Sequence, residues 1–318
     1  MAGLRVKIGV TPWLFDDGGL AAGFAAQAER AEALGFDSIF ISEHHFTPGA
    51  IPAPLLLLAA AASRTRRIRL GTTSFLLPLR HPLHAAAEVA VLDQLSQGRV
   101  ILGVGRGFRK PMFSAFDVAR AEKRDLFEAA LARMREAWDG KPVVDSDEPG
   151  PPAVLSPLPL QKPHPPIWVA AFGPKALAQA GRLALPYLAS PMETVSQLAE
   201  NLARHREACE QSGHELPSVV PLMRTAFVSD NVTTLARASA ALEQQMRAMA
   251  KAPSAVLRRG ALGDPEDWAI VGEPALVADA IAALEERFGM THLIVRSQIP
   301  GLEPREIEAS LEYLAAFD

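Results

Sequence analysis

The 318-residue sequence predicts an α/β fold, a (β/α)8 TIM barrel with insertions at its C-terminal face, as one domain over residues 1–318. Two observations carry this. Short β-branched or apolar runs alternate eight times with longer helical patterns and without a series of hairpins, and eight parallel strands close into a barrel. Apolar residues make up 49% of the chain and charged residues 21%, which suits one large core and is too apolar for a disordered chain.

The first half contains four strand–helix units. They are Val6–Thr11 with Leu20–Leu34, Ser38–Ser42 with Pro54–Arg64, Ile68–Ser74 with Leu83–Leu95, and Val100–Gly105 with Glu122–Trp138. The second half adds Ile167–Ala171 with Pro174–Leu183, Tyr187–Ala189 with Thr194–Ser212, Val219–Val228 with Thr233–Ala250, and His292–Arg296 with Pro304–Phe317. Gly35, Gly98 and Gly140 follow helices, and Pro82 opens one, as helix ends and starts favour. Phe108–Ala121, the Pro-rich Lys141–Pro166 and Lys251–Pro274 fall outside the repeat. The first and third read as candidate substrate loops or lids.

Composition narrows the function classes. The net charge of −4, with both signs interspersed, gives no electrostatic footprint for nucleic acid. The one cysteine, Cys209, reads as a core thiol in a reducing compartment. Met1–Trp13 lacks the pattern of a secretory signal, and the longest apolar run, Ala53–Ala62, is shorter than the about 20 residues a bilayer needs. The expectation is a cytoplasmic protein with no membrane contact.

Active sites of such barrels gather where strands end. After the second strand comes Ser42-Glu43-His44-His45-Phe46, where one imidazole is expected to face the pocket and the other a neighbour or subunit contact. A metal site is the rival reading, but adjacent histidines seldom bind one ion and no further ligand cluster is obvious. The fourth strand ends in Gly103-Val104-Gly105-Arg106-Gly107-Phe108, where the glycines admit a flat or anionic ligand and Arg106 is placed to grip phosphate or a polar ring edge. The spacing and the lack of a following acidic residue reject a Rossmann fingerprint. After the fifth strand, Ala171-Phe172-Gly173-Pro174-Lys175-Ala176 runs into a helix start, either an ordinary turn or a phosphate site.

Glu43-His44-His45-Phe46, the stretch from His81-Pro82 through Leu92-Asp93-Gln94-Leu95-Ser96-Gln97-Gly98-Arg99, and Gly103-Val104-Gly105-Arg106-Gly107 together resemble the bacterial-luciferase-like, flavin-dependent monooxygenase family, in order and spacing. The second half is similar more loosely, through Pro165-Pro166-Ile167-Trp168-Val169-Ala170 and Val271-Gly272-Glu273-Pro274. The resemblance implies a TIM barrel, reduced FMN as cosubstrate, and a homodimer built on the second and third helices. It implies His44 as catalytic histidine, His45 as its structural neighbour, a cis Thr73–Ser74 bond beneath the flavin, and phosphate held by Arg106 and Arg124 with Gly173 and Ala176 completing the grip. Gly105 stands where luciferase itself has a cysteine against the flavin, and Phe172 where it has a glutamate. The light-emitting aldehyde reaction is therefore not implied.

What the resemblance implies is the oxygenase half of a pair. A separate reductase, expected because the chain carries no nicotinamide-binding motif, delivers FMNH₂, O₂ reacts to a C4a-hydroperoxide, and a small organic substrate is oxygenated with His44 as general acid or base. A deazaflavin-dependent hydride transferase and a non-catalytic flavin-binding barrel are the alternatives. Phe113, Phe116, Met112, Leu257, Leu262 and Trp268, beside Arg109, Lys110, Arg258 and Arg259, suit either an apolar anionic substrate or ordinary loop anchoring.

Overall fold

The computed structural model describes residues 6–14, 19–46, 49, 51–144, 150–251, 264 and 267–317. Its strands are β1 Lys7–Val10, β2 Ser38–Ile41, β3 Arg69–Thr72, β4 Phe75–Leu76, β5 Val100–Gly105, β6 Ile167–Ala170, β7 Tyr187–Leu188, β8 Pro221–Val228, β9 Ala269–Gly272 and β10 His292–Arg296. Every pairing among them is parallel, in the order β7-β6-β5-β3-β2-β1-β10-β8-β9, with β4 on β5. A parallel bridge from Ala189 to Leu222 also brings the β7 end of the path against β8, so the sheet curls strongly.

The helices are α1 Gly19–Leu34, α2 Pro54–Arg64, α3 Pro82–Ser96, α4 Lys110–Ala115, α5 Lys123–Trp138, α6 Pro174–Arg182, α7 Val195–Gln211, α8 Val232–Ala250, α9 Pro274–Phe288 and α10 Pro304–Ala315. Among the described residues none is long and apolar enough to cross a membrane. Two tracts depart from the eightfold reading. The tract Lys251–Pro274 holds β9, and α9 follows it, so a ninth strand–helix unit precedes β10; Phe108–Ala121 holds the short α4. Leu257, Arg258, Arg259 and Leu262 lie outside the described residues, whereas Trp268 is buried just before β9.

Packing follows the two-sided burial of parallel strands. Val10, Ile39, Leu70 and Leu102, from four neighbouring strands, join the large core shared with the helices. Phe40, Ile101, Trp168, Leu188, Met223 and Ile294, from six strands, form a separate inner core, with Phe40 stacked on Trp168 at 5.6 Å. Gly71 makes that core possible, since a Cβ there would stand 2.2 Å from the Phe40 ring.

The Leu92–Arg99 stretch is structural, and it precedes β5 at the N-terminal end of the strands. Buried Asp93 accepts from the Gln161 backbone N–H (2.9 Å) and side-chain amide (2.8 Å). Gln97 (φ 56°) and Gly98 (φ 79°) turn the chain out of α3. Arg99 then donates to the carbonyls of Ala62, Thr65 and Ile68 and to Thr65 Oγ1, closing the end of α2 where helix carbonyls lack partners.

Candidate active site

The C-terminal ends of β2, β3, β5, β6 and β7 surround a cavity of about 470 Å³, a size typical of small-molecule sites. Every candidate catalytic and cofactor-binding residue of the sequence lines it. From the end of β2 come His44 and His45, from β3 Thr73 and Ser74, from β5 Gly105 and Arg106, from α5 Arg124, and from the β6–α6 turn Phe172, Gly173 and Ala176. The Thr73–Ser74 peptide is cis.

The two histidines have different environments. His45 Nε2 lies 2.7 Å from Glu43 Oε1, and its ring meets Phe116 edge-on at 5.0 Å. His44 faces the cavity. Its pKa is lowered from the ordinary 6.5, first because the surrounding protein disfavours the charged ring and then because Arg109 repels it, against a smaller opposing pull from Glu43. His44 is therefore a neutral imidazole at pH 7, able to accept a proton.

Glu43 organises this wall. Its buried carboxylate accepts from Arg80 through both Nη1 and Nη2 at 3.0 Å and from the Leu76 amide at 2.9 Å, besides meeting His45. Arg80 in turn lies 3.9 Å over the Phe75 ring. The pair thus ties β2 to the segment after β3. Ser42 Oγ donates to the Thr73 carbonyl at 2.7 Å, fixing the cis peptide to the same wall.

Part of the cavity is cationic. Arg106, Lys123, Arg124 and Lys175 all line it. Arg106 is buried and turned into the protein: Nε donates to Gln179 Oε1 (2.7 Å), Nη1 to the Ala170 carbonyl (3.0 Å) and Nη2 to the Ala176 carbonyl (3.3 Å). Burial, and then repulsion from Arg124 against a smaller opposing pull from Glu128, lowers its pKa to about 10. Lys123 donates to the Gly107 carbonyl. Among the described residues the Arg124 guanidinium has no hydrogen-bond partner, and neither do the amides of Gly173 and Lys175 at the start of α6. The Ala176 amide is spent on the Gly173 carbonyl at 3.1 Å, so Ala176 offers its position but not its N–H.

Sequence reasoning missed the wall after β7, where Ser190, Pro191 and Met192 join Met223 in lining the cavity. Their signal was only that they follow a strand end. A buried network holds them: Glu193 accepts from the Ser190 amide (2.7 Å), Asn201 Nδ2 (2.8 Å) and the Tyr187 hydroxyl, while Arg224 donates to the Ser190 carbonyl (3.1 Å). From the tract 108–121, Phe108, Arg109 and Met112 reach the cavity, and Phe113 is buried behind them. Among the described residues no three His, Cys, Asp or Glu side chains converge as a metal site.

Residues 11–292 match the family described as luciferase-like monooxygenase. An uncharacterized protein of Sinorhizobium fredii is 34% identical over 213 residues, 64% of this chain and 60% of that protein. The oxygenase component of a flavin-dependent trigonelline monooxygenase from Acinetobacter baylyi is 31% identical over 213 residues, 63% of this chain and 57% of that one. The matches span about half to three fifths of the length of these curated relatives. A monooxygenase of Streptomyces bottropensis superposes with a TM-score of 0.81 at 28% identity, covering 98% of each chain. With the family match extending over most of its length, the chain belongs to the luciferase-like monooxygenase family.

Proposed function

We propose that this cavity binds reduced FMN and that the protein is the oxygenase component of a two-component monooxygenase acting on a small organic substrate. The observation that carries the reading is one cavity lined both by a helix start with cations and amides that have no partner among the described residues and by a neutral histidine. The donors fit the cofactor: Arg124, Lys175 and the amides of Gly173 and Lys175 suit a dianionic phosphate, while Thr73, Ser74, Gly105 and Phe172 would flank the ring. Arg106 also braces β6 and α6 beside this site. We read the curled sheet as an eight-strand barrel in a single domain, with β4 and β9 as additions to it.

Reduced FMN, when bound, supplies the electrons that activate O₂. The chain's own contribution is placement and proton control. Leu76, Met112, Leu188, Met192 and Met223 keep water from the reacting face. His44, neutral at pH 7, takes a proton from the substrate or returns one, and the Glu43–His45 contact keeps the adjacent ring from competing. The relative's description as an oxygenase component supports a separate flavin reductase. Leu56 on α2 and Val91 and Leu95 on α3 are exposed, giving an apolar face for a homodimer.

His44→Ala tests the reading. FMN affinity and thermal stability stay near those of the unaltered protein, and turnover of a substrate panel with reduced FMN and O₂ falls about 10²- to 10⁴-fold. Unchanged turnover removes His44 from the chemistry.

A further inference from the structure

Ser74 lies in the cavity wall beside the cis peptide, and among the described residues its hydroxyl has no hydrogen-bond partner. The adjoining strand makes room for it. A Cβ added to Gly105 would stand 2.1 Å from Ser74 Oγ, 3.0 Å from Ser74 Cβ and 3.3 Å from Leu76 Cδ2. The hydroxyl therefore occupies the space that any side chain at position 105 would claim. Gly105 has no left-handed backbone that would demand glycine, so the close approach accounts for it. Neighbouring hydroxyls differ from this one: Ser42 donates to the Thr73 carbonyl and Thr72 to the Gly103 carbonyl. Half-buried in the cavity wall and unused by the protein, the hydroxyl is available to a bound ligand.

We propose that the Ser74 hydroxyl is the side-chain hydrogen-bonding group that this chain presents to the polar edge of the flavin ring, and that Gly105 is glycine so that the hydroxyl can stand there. This rests on the flavin reading above and deepens it by pairing two residues as one positioning device. The hydroxyl can donate or accept, so it serves a ring nitrogen or a ring carbonyl oxygen.

The test is a double-mutant cycle read by equilibrium dialysis of oxidised and of anaerobically reduced FMN against the full chain. Ser74→Ala weakens FMN binding about five- to tenfold, the worth of one hydrogen bond. Gly105→Ala weakens it at least as much by displacing the hydroxyl. In the Ser74→Ala background, Gly105→Ala costs much less, because the 2.1 Å conflict is gone and only the milder contacts at 3.0 and 3.3 Å remain. Circular dichroism of each variant separates loss of fold from loss of binding, and Ser74→Ala alone decides if Gly105→Ala does not fold. FMN binding by Ser74→Ala equal to that of the unaltered protein, or effects of the two substitutions that simply multiply, overturns the pairing. Absence of FMN binding by the unaltered protein overturns the flavin reading and this inference with it.

Discussion

Replacing Glu43 by alanine removes an acceptor that four contacts share: two from Arg80, one from the Leu76 amide and one with His45. Each buried donor left without a partner costs about 1–3 kcal/mol. Arg80, whose side chain is only 20% exposed, would also keep a charge with its carboxylate gone. Breaking such a pair from one side costs about 3–5 kcal/mol, and we take that as the expected loss. At about 2.1 cal/mol/K per residue, a chain of 318 residues loses roughly 4–8 °C of Tm for it. Thermal melts followed by circular dichroism read the shift. Glu29→Ala is the control: its partner Arg64 is half exposed, and that surface pair contributes less than about 1 kcal/mol. Equal shifts for the two substitutions would refute the reasoning that makes Glu43 the organiser of the wall.

Three further outcomes are expected. His292 is buried, with its ring edge-on to Trp168 at 5.0 Å, and burial lowers its pKa from 6.5 to about 4. The unfolded chain then takes up the proton first, so stability falls as pH drops below 6.5 and levels near 4, a loss of about 3 kcal/mol; urea titrations across that range should show a flatter dependence in His292→Asn. His44, lowered by its surroundings and by Arg109, places the acid limb of kcat/KM below pH 6.5, and Arg109→Gln moves that limb upward by removing the repulsion. Leu95→Glu places a charge on the exposed face of α3 and shifts the protein to monomer in size-exclusion chromatography if that face joins two copies.

The candidate site residues could be read as a group because most lie at or just past strand ends and carry chemically distinctive side chains or glycines. His44, Ser74, Gly105 and Gly173 needed only the strand boundaries to be brought together. What escaped were partnerships formed across sequence distance. That Arg106 donates its Nε–H to Gln179, 73 residues on, is not readable from the sequence. Glu43 reads as one letter of a motif until Arg80 closes on it. The ninth unit escaped for a local reason: β9 has only four residues, although Pro274 at the start of α9 and left-handed Gly289 at its end are ordinary helix punctuation.

The most direct test of the central claim is anaerobic titration of the protein with reduced FMN and, separately, with a reduced deazaflavin, each followed by admission of O₂ and measurement of its uptake. The account predicts saturable binding of reduced FMN in preference to the deazaflavin, weakened at least tenfold by Arg124→Gln, with O₂ consumed by the bound flavin. Preference for the deazaflavin with no O₂ uptake would contradict it in favour of hydride transfer, and binding without turnover across a broad substrate panel would make the protein a flavin carrier.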